Sequence, residues 1–304
     1  MQIKTVDMFK VPEGVRVPVL SGLLYEWTSS IERKIITQCI TDFQLNNKER
    51  KEKIIVSLTT FPARIDVVEY AIKSIFCQTV KPDRIILWLA DSQFPEFCPT
   101  KTMQQLIDAG LEVRFCDDLK AHKKYHYTLK EQTPDELVIT YDDDLIYPED
   151  SIERLYRTHL RYPNCIACNR AGCCSGDKGR IHPYNTWKIH SSIGVKKPSS
   201  RLFPSTGGGT LYPYKSVNEE AFNIKKMKEL AFSADDLWMR FMSALNGTKI
   251  IKTRMNHKTF STLEGSQKES LQVLNCIGGE NDRVIERLSQ EYPNAVKNIF
   301  GEDE

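Results

Sequence analysis

Long apolar runs are missing from this sequence: no stretch approaches the roughly 20 consecutive apolar residues that a membrane crossing needs. The opening, "MQIKTVDMFKVPEG", lacks the apolar core of a signal peptide. These two absences predict a cytoplasmic protein, at most peripheral at the inner face of a membrane. An excess of one charge is missing too. Forty-two basic residues against 40 acidic ones leave a net charge of +2, and no strongly basic segment stands out. Nucleic acid is therefore excluded as the main partner. No internal repeat and no low-complexity tract is visible, which sets aside solenoids and disordered linkers. Nine cysteines, an odd number over a long chain, fit reduced thiols better than a disulfide framework.

What is present suits an α/β enzyme. A chain of 304 residues, 40% apolar, can bury the core of one large α/β domain or two small ones. Between Leu20 and Phe43, Leu20, Leu23, Leu24, Trp27, Ile31, Ile35 and Cys39 recur at helical spacing, and the charged connector "NNKERKEK" follows. The polar face of this helix is mixed in sign, so it is expected to pack on the main domain. Further on, "NCIACNRAGCC" holds Cys165, Cys168, Cys173 and Cys174. Four thiols suit zinc, but a vicinal pair is awkward for a tetrahedral site, and buried free thiols are the favoured reading.

From Lys53 the hydrophobic pattern alternates in type. "KIIVSLTTF" reads as a strand, "PARIDVVEYAIKSIFCQTVKP" as a helix with Asp66 near its start, "DRIILWLAD" as a strand and "TKTMQQLIDAG" as a helix stopped by Gly110. "LEVRFCDD" is a third strand, "YHYTLKEQ" is helical and "DELVITYDDD" is a fourth strand. Strands alternating with crossover helices imply parallel pairing in a Rossmann-like open sheet, whose ligands bind outside the carboxyl ends of the strands. Those ends read "TTFPAR", "ADSQ", "DDLKAHKKY" and "DDDLIYP", all rich in polar groups. Past the helix "SIERLYRTHLRYP" the alternation fades. "CIACNRA" is a strand, residues 175–205 are loop-rich, and "TGGGTLYPY", the helix "SADDLWMRFMSALNG" and the strand "TKIIKTRM" follow.

The chemistry concentrates at the fourth strand end. Asp142, Asp143 and Asp144 repel one another and cannot stay buried and charged without a partner. Carboxylates spaced Asp-x-Asp suit a hard divalent cation, Mn²⁺ or Mg²⁺, completed by substrate phosphates. The triplet alone is equally compatible with solvating the turn before the next helix.

The ordered phrases "IIVSLTTFPARIDVVEYAIKSIFCQTVKPDRIILWLAD", with Ser74, Ile75, Gln78 and Thr79, and then "YDDD" closely resemble the family-2-type, GT-A-fold glycosyltransferases, over roughly residues 53–260. The resemblance implies a GT-A domain at 53–260, with a nucleotide-binding half at 53–150 and an acceptor half at 151–260. An added N-terminal helical extension occupies 1–52, and a C-terminal lid and helix 261–304. It implies that Thr59, Thr60, Arg64 and Asp91 line the nucleotide pocket, with Lys124 on the nucleotide or diphosphate and Lys123 as the competing choice. Asp142 would face the ribose, Asp144 the metal, and Asp143 the turn or the sugar. Gly207, Gly208 and Gly209 would let backbone approach the donor or acceptor. Asp236 would be the catalytic base with Asp235 beside it, although Ser233 or Asp235 could instead cap the helix. His257 would be a second metal ligand or a structural histidine, and Tyr184 and Trp187 would stack an acceptor sugar. The second strand ends in "LADSQF" where the family has an acidic doublet, and nothing in 175–205 maps onto a family phrase.

The activity so implied is a metal-dependent, inverting transfer of a sugar from a nucleotide diphosphate, most simply UDP, to a glycan or lipid-linked acceptor in bacterial surface polysaccharide synthesis. Two alternatives stand beside it. A sugar-nucleotidyltransferase would carry glycines after the first strand, and "SLTTFPARI" has none. A non-catalytic carbohydrate-binding protein would have no need to keep Asp142, Asp144 and Asp236 together.

Overall fold

The computed structural model describes residues 43–177, 179–188, 193–254, 261–262 and 279–301. The helix expected before Phe43, His257 and most of the lid expected after 260 lie outside these residues. The first half alternates as the pattern predicts: β1 (Lys53–Thr59), α1 (Ile65–Phe76), β2 (Arg84–Ala90), α2 (Lys101–Asp108), β3 (Leu111–Cys116), α3 (Lys123–Lys130) and β4 (Glu136–Tyr141). The short β5 (Leu145–Ile146) and α4 (Ser151–Arg161) complete it. Gly110, at φ +107°, stops α2 as its sequence position suggests. Asp66 lies in the first turn of α1 and not at its cap, which is Arg64.

The second half is built from shorter pieces. β6 (Ile166–Cys168) and β7 (Ala171–Cys173) divide what the sequence reads as one strand. β8 (Gly176–Asp177), β9 (Arg180–Ile181) and β10 (Leu202–Pro204) lie in the region expected to be loop-rich. β11 (Gly208–Tyr212), α5 (Ile224–Ala231), α6 (Asp235–Leu245), β12 (Ile250–Lys252), β13 (Ser261–Thr262), α7 (Glu280–Glu291) and α8 (Pro293–Phe300) follow.

Seven strands form one sheet in the order β12-β6-β11-β4-β1-β2-β3. β1 pairs in parallel with β2 and with β4, β2 with β3, and β6 with β12. β11 alone runs antiparallel, wedged between β4 and β6. This is the mostly parallel, Rossmann-like α/β sheet that the alternation predicts. The departure is β11, where the glycine run starts a central antiparallel strand. A register shift between Gly208 and Thr210 absorbs the glycines, and the buried Thr210, Leu211 and Tyr212 supply the strand.

Both faces of the sheet are covered, so its strands read as nearly continuous apolar runs. Along β1, Ile54, Val56 and Leu58 enter the layer of Val68, Ile72, Ile75 and Phe76 from α1 and Leu106 from α2. Ile55 points the other way, into the layer holding Tyr125, Leu129 and Trp238. The period-two alternation thus feeds two cores from one strand. No helix among the described residues is long and apolar enough to cross a membrane.

Chain order reverses between β1 and β4: β2 and β3 lie beyond β1, while β4 lies on its other side. Crevices form at such a switch point because the loops leaving the two strands diverge. The strand ends carrying Thr59–Thr60 and Asp142–Asp144 flank it.

Candidate active site

The buried end of β4 delivers the aspartate triplet, and other elements supply its counter-charges. From the β1 end, the Thr60 hydroxyl donates to Asp143 Oδ2 at 2.6 Å. Arg64, in the single turn Pro62–Arg64, sets its Nη1 2.8 Å from Asp143 Oδ1 and 3.1 Å from Asp144 Oδ2. Both oxygens of Asp143 are thereby engaged inside the protein, so this residue serves the turn. Burial raises the Asp143 carboxyl and Arg64 opposes the shift. Burial and then the charge of Asp142 push Asp144 up to about 6. A carboxylate so crowded would gain from further positive charge.

Lys124, at the start of α3, reaches the triplet from the other side. Its Nζ lies 2.6 Å from Asp142 Oδ1 and 2.9 Å from Asp235 Oδ2, with the side chain only 5% exposed. Burial works against the ammonium, but Asp142, Asp235 and Asp236 together hold its pKa well above the ordinary value. Lys123 points elsewhere, to Asp118 at 2.9 Å. The choice between the two lysines is thus decided by helix geometry, since successive residues on a helix project in different directions.

Asp235 and Asp236 open α6, whose N-cap is Ala234 with no side-chain cap bond. Neither carboxylate caps the helix. Both turn instead toward Thr206, whose backbone N–H donates to Asp236 Oδ1 at 2.7 Å. The Thr206 hydroxyl lies 2.7 Å from Asp235 Oδ2 and 2.5 Å from Asp236 Oδ1. Burial raises both acids, but they part company. Lys124, His122 and Thr206 outweigh burial at Asp235 and hold it low, whereas the neighbouring Asp235 charge adds to burial at Asp236 and takes it to about 7. Paired carboxylates pushed apart in this way can divide acid and base duties.

The glycine run lies against this cluster. A Cβ on Gly207 would fall 1.7 Å from Asp142 Cγ, so only glycine leaves the carboxylate its place. Gly209, at φ +84°, would push a Cβ to 2.8 Å from Asn169 Nδ2 and 2.9 Å from Tyr141 Cε1. A Cβ on Gly208 would meet Arg170. These close approaches are therefore made to the protein's own side chains. Tyr147 ties the strands together, its hydroxyl accepting the Asp142 N–H at 2.8 Å and lying 2.8 Å from the Gly207 carbonyl.

The structure thus gathers Thr60, Arg64, Lys124, Asp142, Asp143, Asp144, Asp235, Asp236 and the glycine run. Thr59 is adjacent, but its hydroxyl donates to the Trp88 carbonyl at 2.7 Å. Asp91 is exposed just beyond β2, with its backbone N–H on Cys116. Trp187 is 7% exposed and packs on Tyr184 and Phe203 at centroid distances of 5.1 Å each, so its ring is core and not an open stacking surface. Tyr184 closes the same trio, 5.9 Å from Phe203. Cys168 and Cys174 are buried thiols, which burial raises to about 12 and about 11. Among the described residues, no group of three or more histidine, cysteine, aspartate or glutamate side chains is arranged to hold a metal. Thr206 and Tyr147 are the residues that sequence reasoning missed. The only available sign was a threonine directly before three glycines.

No protein-family model matches this chain, and no protein of curated function matches it. Among solved structures it is similar to the mannosyltransferase PcManGT from Pyrobaculum calidifontis in complex with GDP-Man and Mn²⁺. That likeness has a TM-score of 0.44 and 13% identity, over 92% of this chain and 81% of that one. It is also similar to residues 1–349 of S. aureus TarS, with a TM-score of 0.42 and 14% identity over 68% of this chain; it spans 59% of the TarS chain. A third likeness is to 4-diphosphocytidyl-2C-methyl-D-erythritol synthase from Anaerococcus prevotii, at a TM-score of 0.41 and 14% identity, over 70% of this chain and 92% of that one. All three are likenesses of general layout.

Proposed function

We propose that this chain is a divalent-cation-dependent transferase that moves a sugar from a nucleotide diphosphate, most simply a UDP-sugar, to a hydroxyl of a glycan or lipid-linked acceptor. The observation that carries the reading is the lysine bridge. Lys124 joins Asp142, at the switch-point crevice, to Asp235, so the triplet and the pair with divided proton affinities form one site. The phrases shared with GT-A glycosyltransferases give the same assignment, and the product would enter bacterial surface polysaccharide made at the inner face of the membrane.

A hard cation fits the all-oxygen donors here. Asp144 would hold it with Asp142 close by, and substrate phosphates would complete the shell, which explains why the protein need not build a full cage. His257 is the further ligand the family pattern implies. When bound, the cation neutralises charge on the departing diphosphate.

The other steps belong to the chain's own groups. Thr60 and Arg64 brace the turn so that the Asp142 and Asp144 carboxylates keep their aim. Lys124 keeps Asp235 ionised. Asp236, once deprotonated, takes the proton of the acceptor hydroxyl as its oxygen attacks the anomeric carbon; the bond from that carbon to the diphosphate oxygen breaks. Attack from the face opposite the leaving group inverts the anomeric centre. The nucleotidyltransferase alternative is disfavoured because the β1 end is "TTFPAR", with no glycines to cradle a triphosphate and with Arg64 engaged by Asp143 and Asp144.

The test is to screen UDP-, GDP- and dTDP-sugars for release of free nucleotide with Mn²⁺, with Mg²⁺ and with a chelator. Metal-dependent release from one nucleotide class is expected. If no nucleotide sugar binds or turns over with either metal, the reading fails.

A further inference from the structure

Thr206 makes more contacts with acids than one hydroxyl can serve in the ordinary way. The residue is fully buried, just ahead of β11, and its carbonyl is held by the Thr140 hydroxyl at 2.6 Å. Its Oγ1 lies at hydrogen-bond distance from two carboxylates at once, 2.7 Å from Asp235 Oδ2 and 2.5 Å from Asp236 Oδ1. A threonine hydroxyl carries one hydrogen. With both aspartates ionised it could donate to one, and would face the other lone pair to lone pair at the spacing of a strong O–H···O⁻ bond. Both contacts are satisfied only if one carboxyl supplies a second hydrogen.

Asp235 is the poorer host for that hydrogen, because Lys124 Nζ lies 2.9 Å from the same Oδ2. Asp236 is the better one. We propose that Thr206 is a proton bridge: Asp236 Oδ1–H donates to Thr206 Oγ1, and Thr206 O–H donates to Asp235 Oδ2, so that the resting pair holds a single proton. That proton leaves to solvent when the pair is armed, and the Thr206 hydroxyl then keeps one acid bond where it had two, while its backbone N–H stays on Asp236 Oδ1 in both states. The hydroxyl therefore stabilises the half-protonated pair over the dianion. The catalytic consequence rests on Asp236 being the base proposed above; the proton count does not. The charged and titratable groups facing the pair are Lys124 and Tyr125 from α3, His122 ahead of it, Asp142 beyond β4 and Tyr212 on β11. Each acts on the midpoint in wild type and variant alike.

The direction of the effect separates this role from a simpler one. A threonine that merely donated to an ionised Asp236 would lower the pH at which the proton is lost, so removing its hydroxyl would raise the midpoint. A bridge predicts the reverse. Infrared difference spectra of the full chain, recorded as pH is raised, read the C=O stretch of a protonated carboxyl directly. Asp144, pushed up to about 6, supplies such a band in wild type and variant alike; a further band should vanish near neutral pH in the wild type and be missing in Asp236→Asn. In Thr206→Val, which keeps the shape and the backbone N–H, the midpoint should fall by roughly one pH unit, the worth of one hydrogen bond. Thr206→Ser should leave it in place. Identical carboxyl bands in the wild type and Asp236→Asn, or an upward midpoint in Thr206→Val, each overturns the bridge. If Thr206→Val does not fold, Thr206→Ala, which also lacks the hydroxyl, reads the same direction of shift. The acid limb of transfer should move with the infrared midpoint. A band that behaves as predicted in a protein that turns over no nucleotide sugar would sink the transferase reading alone.

Discussion

Two clusters of adjacent aspartates meet in this crevice, and the two cations that serve them are used differently. At the turn after β4, Arg64 reaches both Asp143 and Asp144 with one nitrogen. At the start of α6, Lys124 reaches Asp235 and spends its second contact on Asp142 across the crevice, leaving Asp236 to Thr206. A cation shared by neighbours damps the repulsion between them, which suits a turn that must stay rigid. A cation given to one neighbour widens the gap in proton affinity, which suits acid–base work. The same residue type, doubled in sequence, is thus set to two tasks by where the nearest positive charge arrives.

That contrast can be broken most severely at Lys124. Lys124→Met keeps the length of the side chain but leaves the enclosed Asp235 and the partly exposed Asp142 without their cation, and should cost about 3 kcal/mol of stability. Urea unfolding monitored by circular dichroism measures this, and a loss well under 1 kcal/mol would show that the bridge is weak. Asp236→Asn acts on chemistry. The rate of transfer should fall roughly 10²–10⁴-fold while UDP binding, measured by calorimetry, stays intact. Loss of UDP binding would move Asp236 from base to donor contact. The mildest change is Arg64→Lys, which keeps the charge but not the planar group. About 1 kcal/mol of stability should be lost, with the division between Asp235 and Asp236 unaltered. A shift in the acid limb of the rate in that variant would mean that the two clusters are coupled through the triplet.

Much of this arrangement could be read from the sequence, for identifiable reasons. The β1–β4 half follows local rules: buried strands read as apolar runs, and chain order alone locates the switch point. Asp142–Asp144 stand out because adjacent carboxylates are costly without a partner, whereas Asp235–Asp236 stand out only through the resemblance to GT-A glycosyltransferases. The partners themselves do not. Whether Lys123 or Lys124 faces the crevice depends on the phase of an eight-residue helix, and its start is hard to place when residues before it form a 3₁₀ turn. The glycine run hid a central strand, because three glycines carry no strand propensity and only the pairing with β4 and β6 makes one. Trp187 looked available for stacking in a loop-rich segment, but Phe203, sixteen positions away, encloses it. Thr206 had no local signature beyond the three glycines that follow it. Its importance exists only once β11 lies between the two acidic clusters.

The two internal cations have a further consequence for how the crevice meets its ligands. Asp142 and Asp144 already sit beside Lys124 and Arg64, so on the proposed function a metal–nucleotide complex would enter by exchange, displacing or sharing existing ion pairs before making its own. Exchange of this kind conserves local charge. A crevice so neutralised would draw loose cations weakly, and on the proposed function its selectivity would lie in the combination of metal and diphosphate, whose opposite charges let the carboxylates and the lysine change partners in one event.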